Sequence, residues 1–193
     1  MKLLLKHVFS KFALVMLATL YFSGIASAKD LVIMTSLPSM EFPFFVHMQN
    51  MLDQEAKSIG GIKILSADGQ NRVPKQTADV ESAIIQGVDG IIISPIDVNA
   101  MAPALQQAID AGIPVVTVDR YVGGVPGIYA HVGADNVKGG EAQARLIMKQ
   151  FPNGATIVNL QGQPGASPAI DRNKGLHNIL DGKSKYKIVA EQT

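Results

Sequence analysis

A carboxylate and a guanidinium stand side by side at Asp119-Arg120, directly after the apolar run Val115-Val116-Thr117-Val118. The carboxylate accepts hydrogen bonds from hydroxyl donors, and the arginine fork donates to adjacent oxygens. Such a pair suits a polyhydroxylated ligand, and it equally suits a salt-bridged strand end. Phe44 and Phe45 follow Pro43. Their rings fit the weakly polar C–H face of a sugar, or a hydrophobic core. Adjacent helix positions point about 100° apart, so one of the two is expected inside. Arg172 lies early in a helical stretch, where it either reaches a crevice or is solvated. Catalytic constellations do not emerge. The chain has no cysteine, no nucleophile elbow and no phosphate-binding glycine loop. His47, His131 and His177 fall in no metal-ligand spacing. Asp135 is better explained as a helix N-cap than as the partner of Asp119 in an acidic dyad. Neither an enzyme nor a cofactor or metal is expected.

These side chains need a frame, and the hydrophobic pattern supplies one. Residues 31–34 form an apolar strand. Pro43 opens a helix with Phe44, Phe45, Met48, Met51, Leu52, Ala56 and Ile59 at three- and four-residue spacing. Gly60-Gly61 stops it. A strand at 62–67, a helix at 73–87 and a strand at 90–94 follow, the last apolar throughout as a strand covered on both faces should be. Asn99 is predicted to cap the next helix, which Gly112 ends. Strands at 114–119 and 128–132, a helix from Asp135 or Asn136 to about 151, a strand at 155–160, a helix at 167–180 and a strand from 186 complete the series. Alternating strands and helices imply right-handed βαβ units, a parallel doubly wound sheet and an α/β fold. Two units are predicted: 29–133, nearly complete, and 134–193, partial. Ligands of such sheets bind beyond the carboxyl ends of the strands. That rule singles out Ser36, the segment from Glu41 to Phe45, Asp119-Arg120 and Gln161-Gly162-Gln163-Pro164-Gly165.

Residues 1–28 are excluded from the fold. Lys2, Lys6 and Lys11 precede a run at 12–22 that is apolar apart from Thr19, and Ala26-Ser27-Ala28 is a small-x-small site. This is the layout of a secretory signal peptide cleaved after Ala28; a spanning helix needs about 20 apolar residues. Without cysteine an exported protein has neither disulfides nor a lipid-carrying N-terminal residue, which fits a soluble periplasmic protein. A net charge of +1 offers no general attraction to nucleic acid or anionic membrane.

Several stretches together resemble the ribose-type, type I periplasmic sugar-binding proteins of ABC transporters. They are Pro43-Phe44-Phe45, Gly87-Val88-Asp89-Gly90-Ile91-Ile92-Ile93-Ser94-Pro95, Ile113 to Arg120, Ala134-Asp135-Asn136-Val137-Lys138-Gly139-Gly140, Leu160-Gln161-Gly162 and Asp171-Arg172. The resemblance implies two lobes closing on one monosaccharide: a pentose, a hexose or a cyclitol. It makes Phe45 and Phe44 ring-stacking aromatics, Asp119, Arg120 and Arg172 hydroxyl ligands, and Ser36 a polar residue near the sugar. Ribose binders carry a polar residue immediately before Pro-Phe-Phe. Here Phe42 stands there, and Glu41 is the expected substitute for the lost contact. The implied partner is an inner-membrane permease, with a chemoreceptor as a second candidate and a sugar-sensing signalling receptor as the alternative role. The resemblance places further second-lobe ligands beyond Thr193. A chain ending there is therefore expected to be truncated, to fold poorly and to bind sugar weakly. Signal cleavage has a direct check: N-terminal sequencing of the exported protein should begin Lys29-Asp30-Leu31, and retention of Met1 would refute it.

Overall fold

The computed structural model describes residues 29–193; the expected signal peptide lies outside the described residues. The elements are β1 (Leu31–Leu37), α1 (Pro43–Ile59), β2 (Ile62–Asp68), α2 (Val73–Gln86), β3 (Gly90–Ile93), α3 (Ala102–Asp110), β4 (Val115–Val118), β5 (Ala130–Val132), α4 (Asn136–Gln150), β6 (Ala155–Leu160), α5 (Ser167–Leu180) and β7 (Tyr186–Gln192). Two parallel sheets result, ordered β2-β1-β3-β4-β5 and β6-β7. The first order is doubly wound. The chain steps from β1 to β2 and then returns past β1 to build β3, β4 and β5 on the other side. Right-handed crossovers then put α1 on one face and α2 and α3 on the other. The five-stranded layer with these helices is the first lobe, and α4, β6, α5 and β7 make the second.

The core of the first lobe lies between the central strands and the second helical face. Ile91, Ile93 and Val115 meet Val80 and Ala83 of α2, Leu105 and Ala108 of α3, and Met101 just before it. The apolar run of β3 is buried from both sides, as its sequence requires. Helices α1, α2, α3 and α5 carry proline at their first or second position, where its fixed φ suits the first turn and its missing N–H would have had no partner. Only α4 among the five is capped by a side chain, with Asp135 accepting from the Lys138 N–H at 3.0 Å. Asn99 does not cap α3, contrary to the sequence expectation. The carboxylate of Asp97 accepts from the Asn99 and Ala100 N–H groups at 2.8 Å each, forming a turn before a helix that starts at Ala102. The Ala102 N–H donates to the Asn99 backbone carbonyl at 3.1 Å, so Asn99 ends that turn through its main chain.

In the second lobe, α4 and α5 cover one face of β6-β7 through Ala144, Leu176, Leu180 and Tyr186. Val158, Leu160 and Val189 are exposed. The two helices touch backbone to backbone. A Cβ on Gly140 would overlap the Arg172 carbonyl, and one on Gly175 would overlap that of Val137, whereas a Cβ on Gly139 would meet only the Arg172 side chain at 3.9 Å. Gly140→Ala is therefore expected to lower stability by about 1–3 kcal/mol through overpacking. Gly139→Ala should hold or raise it, since alanine is the better helix former by about 1 kcal/mol. Thermal unfolding followed by circular dichroism checks both; equal midpoints would refute the close contact.

Candidate functional site

The β1/β3 switch point of the first sheet opens at the strands' carboxyl ends, and the β6–α5 loop closes over it. A cavity of about 540 Å³ lies between them. Its wall includes Phe44 and Phe45 from α1, Asp119 and Arg120 after β4, and Gln163 and Arg172 from the second lobe. Sequence reasoning thus brings five of its seven candidates to one cavity.

The exit of β4 explains how two consecutive residues serve one site. Along a strand successive side chains point to opposite faces. Asp119 breaks the alternation by adopting left-handed backbone, φ 60°. The Asp119 N–H donates to the Val132 carbonyl at 2.8 Å, and the Arg120 N–H returns to that of Val118 at 2.6 Å. For a residue with a Cβ this conformation costs roughly 1–2 kcal/mol, and aspartate tolerates it better than most. Strain of this kind concentrates at functional sites.

Arg120 is only 8% exposed. Its Nη1 donates to the Ile96 carbonyl at 3.3 Å and its Nη2 to Gln163 Oε1 at 3.2 Å. Its guanidinium lies over the Phe45 ring, 5.5 Å from the centroid. Asp119 Oδ2 is 3.9 Å from Arg120 Nε, close enough for attraction but too long for a hydrogen bond. Asp119 therefore keeps acceptor capacity for a ligand. Burial pushes its carboxyl above the ordinary aspartate value, outweighing Arg120, Arg172 and His131, which pull the other way. Burial likewise lowers the pKa of Arg120, with Asp119 opposing. Arg172 is exposed on the cavity's far wall and has no hydrogen bond or ion pair among the described residues.

The aromatic wall differs in detail from the expectation. Phe45 is 4% exposed, and one face of its ring is taken by Arg120. The open rings are Phe44, 56% exposed, and Phe42, 40% exposed. All three interlock edge to face, at 5.1 Å for Phe44–Phe45 and 6.3 Å for Phe42–Phe45. Ser36 does not reach the wall. It is fully buried, and its Oγ accepts from Gln76 Nε2 at 3.2 Å. Glu41 is exposed and also stands outside the wall, in a turn where its N–H donates to Ser39 Oγ at 3.2 Å.

Three residues, Gln76, Tyr121 and Asn71, were not singled out from the sequence, and Gln163 was reached only as part of the segment 161–165. Buried Gln76 staples the floor: its amide also donates to the Ser94 carbonyl at 3.0 Å, and its Oε1 accepts from the Ile96 N–H at 2.8 Å. Its signal was a polar residue at the inward positions shared with Val80 and Ala83. Tyr121 ties the lobes, its N–H donating to Ser167 Oγ at 2.9 Å and its hydroxyl to Asp171 at 3.0 Å. Gln163 and Asn71 bond across the cleft at 2.8 Å. A separate polar cluster joins His177 to Asp181 and Glu191 at 2.9 and 3.1 Å. His177, Asn159 and Gln161 hold the Glu191 carboxyl at about 2. No group among the described residues has the makings of a metal site.

The molecule thus pairs a doubly wound sheet, with acid, arginine and aromatic side chains at its switch point, with a second parallel unit across a cleft. The comparisons give the family: residues 33–193 match the profile described as a periplasmic binding protein domain, and the chain belongs to that family, with its type I α/β fold. It is 40% identical over 173 residues to the ribose import binding protein of Bacillus subtilis, covering 89% of this chain and 55% of that one. The structure of the Caulobacter myo-inositol binding protein bound to myo-inositol is similar at TM-score 0.80 and 37% identity, over 89% of this chain and 58% of that one. A galactofuranose binding protein gives 0.78 and 33%, over 84% and 55%. The chain spans a little over half the length of these relatives.

Asp119 joins backbone, charge and burial in one test. Asp119→Asn keeps a residue that accepts left-handed φ and removes a poorly solvated charge. It should match or exceed the parent's stability at neutral pH. That advantage should vanish as pH falls through the raised Asp119 pKa, where the parent is protonated too. Asp119→Val should lose at least about 1 kcal/mol from backbone strain alone. Chemical denaturation at several pH values decides; a destabilised Asp119→Asn at neutral pH would refute the account.

Proposed function

We propose that this chain forms the sugar-binding cleft of the periplasmic substrate-binding component of an ABC importer, taking up a monosaccharide or cyclitol between its lobes. The observation that carries this reading is the convergence of Asp119, Arg120 and Arg172, from both lobes, on one cavity with an open Phe44 ring. A ring of hydroxyls needs acceptors and donors around its edge and an apolar surface under its C–H face, and this wall offers all three. The volume of about 540 Å³ falls within the usual range for small-ligand sites, roughly 300–1,000 Å³. The names of the relatives point the same way: ribose, myo-inositol and galactofuranose are all polyhydroxylated and uncharged.

The mechanism is binding without bond-making. Asp119 accepts from sugar hydroxyls, and Arg120 and Arg172 donate to them. Phe44 and Phe42 flank the ring, while Phe45 backs the Arg120 head. Ser36 acts at one remove by seating Gln76, and Glu41 lies outside the wall. A ligand that touches both lobes favours the closed arrangement, and a population shift toward closure is the signal an inner-membrane permease reads. No catalysis and no cofactor enter this scheme. Export through the predicted signal peptide would deliver the protein to the periplasm, with residues 29–133 and 134–193 as its two lobes.

Calorimetric titration with D-ribose, myo-inositol, L-arabinose and D-fructose tests this reading, with saturable binding of at least one expected. Arg172→Ala should weaken it about tenfold or more, as loss of a charge-assisted hydrogen bond of roughly 1.5–3 kcal/mol implies. Phe44→Ala should weaken it several-fold, and Lys187→Ala, remote from the cleft, should leave it unchanged. Binding indifferent to Arg172 and Phe44 would place the ligand elsewhere.

A further inference from the structure

Gln163 makes two bonds that no other side chain of the second lobe duplicates. Its Oε1 accepts from Arg120 Nη2 at 3.2 Å, and its Nε2 donates to Asn71 Oδ1 at 2.8 Å. Both partners belong to the first lobe. Arginine has donors only, so Gln163 must turn its oxygen toward Arg120, and its nitrogen then faces Asn71. Asn71 is itself held rigidly. It sits at φ 53° beside Gln70 at φ 51°, and its N–H donates to the Pro38 carbonyl at 2.6 Å. The loop carrying Gln163 is seated next to the bridge, where the Val98 N–H donates to the Gly165 carbonyl at 2.9 Å. A side chain at Gly165 would collide with Asp97.

From its own lobe, Arg120 has one hydrogen bond, Nη1 to Ile96, and one bond at the end of a planar fork leaves the plane free to turn. A second bond, at Nη2, fixes that plane. We propose that Gln163 is a positioning residue for Arg120: it sets the guanidinium plane facing the cavity, and does so only when the lobes are closed. The proposal rests on the sugar-site reading for its functional meaning but not for its geometry. In the open arrangement Gln163 withdraws, Asn71 loses its donor, and Arg120 regains rotational freedom. Arg120 is then preorganised for a ligand only in the closed state, which joins closure and recognition through one side chain.

The chain has no native cysteine, so Glu55→Cys and Lys174→Cys, both at exposed helix positions, accept nitroxide labels on opposite lobes. Without ligand, pulsed electron resonance should give a short distance population alongside a longer one, the balance that a ligand shifts. Gln163→Leu, which removes both bonds at similar volume, should move weight to the longer one. Gln163→Glu keeps the acceptor for Arg120, and Asn71 can reverse its amide to donate, so the short population should persist. The Arg120 Nε–H resonance should broaden in Gln163→Leu and stay sharp in Gln163→Glu. Affinity for myo-inositol should fall about tenfold in Gln163→Leu only, equivalent to about 1.4 kcal/mol. An already open parent, a Gln163→Leu chain with the parent's distances and Arg120 signal, or a Gln163→Glu chain as open as Gln163→Leu would each overturn the assignment. If distances and Arg120 signals respond as expected while the parent binds no sugar, the functional reading fails and the positioning role stands.

Discussion

A cation with almost no access to water organises this cleft. Removing a guanidinium from solvent costs several kcal/mol unless partners replace the lost hydration. The molecule supplies them from four directions: a carbonyl at Ile96, a carboxylate at Asp119, an amide at Gln163 and the π face of Phe45. Those groups come from the β3–α3 loop, the β4 exit, the opposite lobe and α1. Each wall of the cavity therefore contributes to the solvation of one side chain. The burial of Phe45 and the unusual backbone at Asp119 belong to the same arrangement.

Below that cation the floor is held by a neutral group. Gln76 lies on α2, yet its three hydrogen bonds go to Ser36 and to the segment Ser94–Ile96. The ends of β1 and β3, which separate at the switch point, are thereby joined by an amide from a helix between them in sequence. Fully satisfied buried amides of this sort fix one arrangement, because any other leaves a polar atom unpaired. Ser94 Oγ is the exception, buried and without a partner among the described residues.

The fold was readable because its signals are local. Apolar runs of four to seven residues, helical spacing from Phe44 to Ile59 and glycines at the stops each act within a few residues. Errors came where two local signals competed, as when the turn built on Asp97 delayed the helix start from Asn99 to Ala102. Asp119, Arg120 and Phe44 could be traced to the cavity wall because they follow a strand or open a helix at the carboxyl edge, and Arg172 because it lies within two turns of the start of α5. Ser36 was misplaced for a reason sequence does not carry: near the end of β1 its side chain points into the core, not the cleft. Phe42 was treated as a departure from pattern and is part of the wall. The bridge from Gln163 to Asn71 spans 92 positions, and no periodicity encodes such a pairing.

The left-handed backbone at Asp119 also limits how this cleft can drift over generations. Single-base changes in an aspartate codon reach asparagine, glycine, histidine, tyrosine, alanine, valine and glutamate. Of these, glycine takes φ near 60° freely, and asparagine and histidine are the side chains enriched there. Glutamate keeps the charge but lacks aspartate's short side chain, which can support this conformation by bonding locally. A lineage carrying this corner can lose its anion in one step, yet has no easy step that moves the anion by one methylene. Changes in the cleft's chemistry that retain the charge are thereby directed to the aromatic wall and the β6–α5 loop, where backbone geometry imposes no such filter.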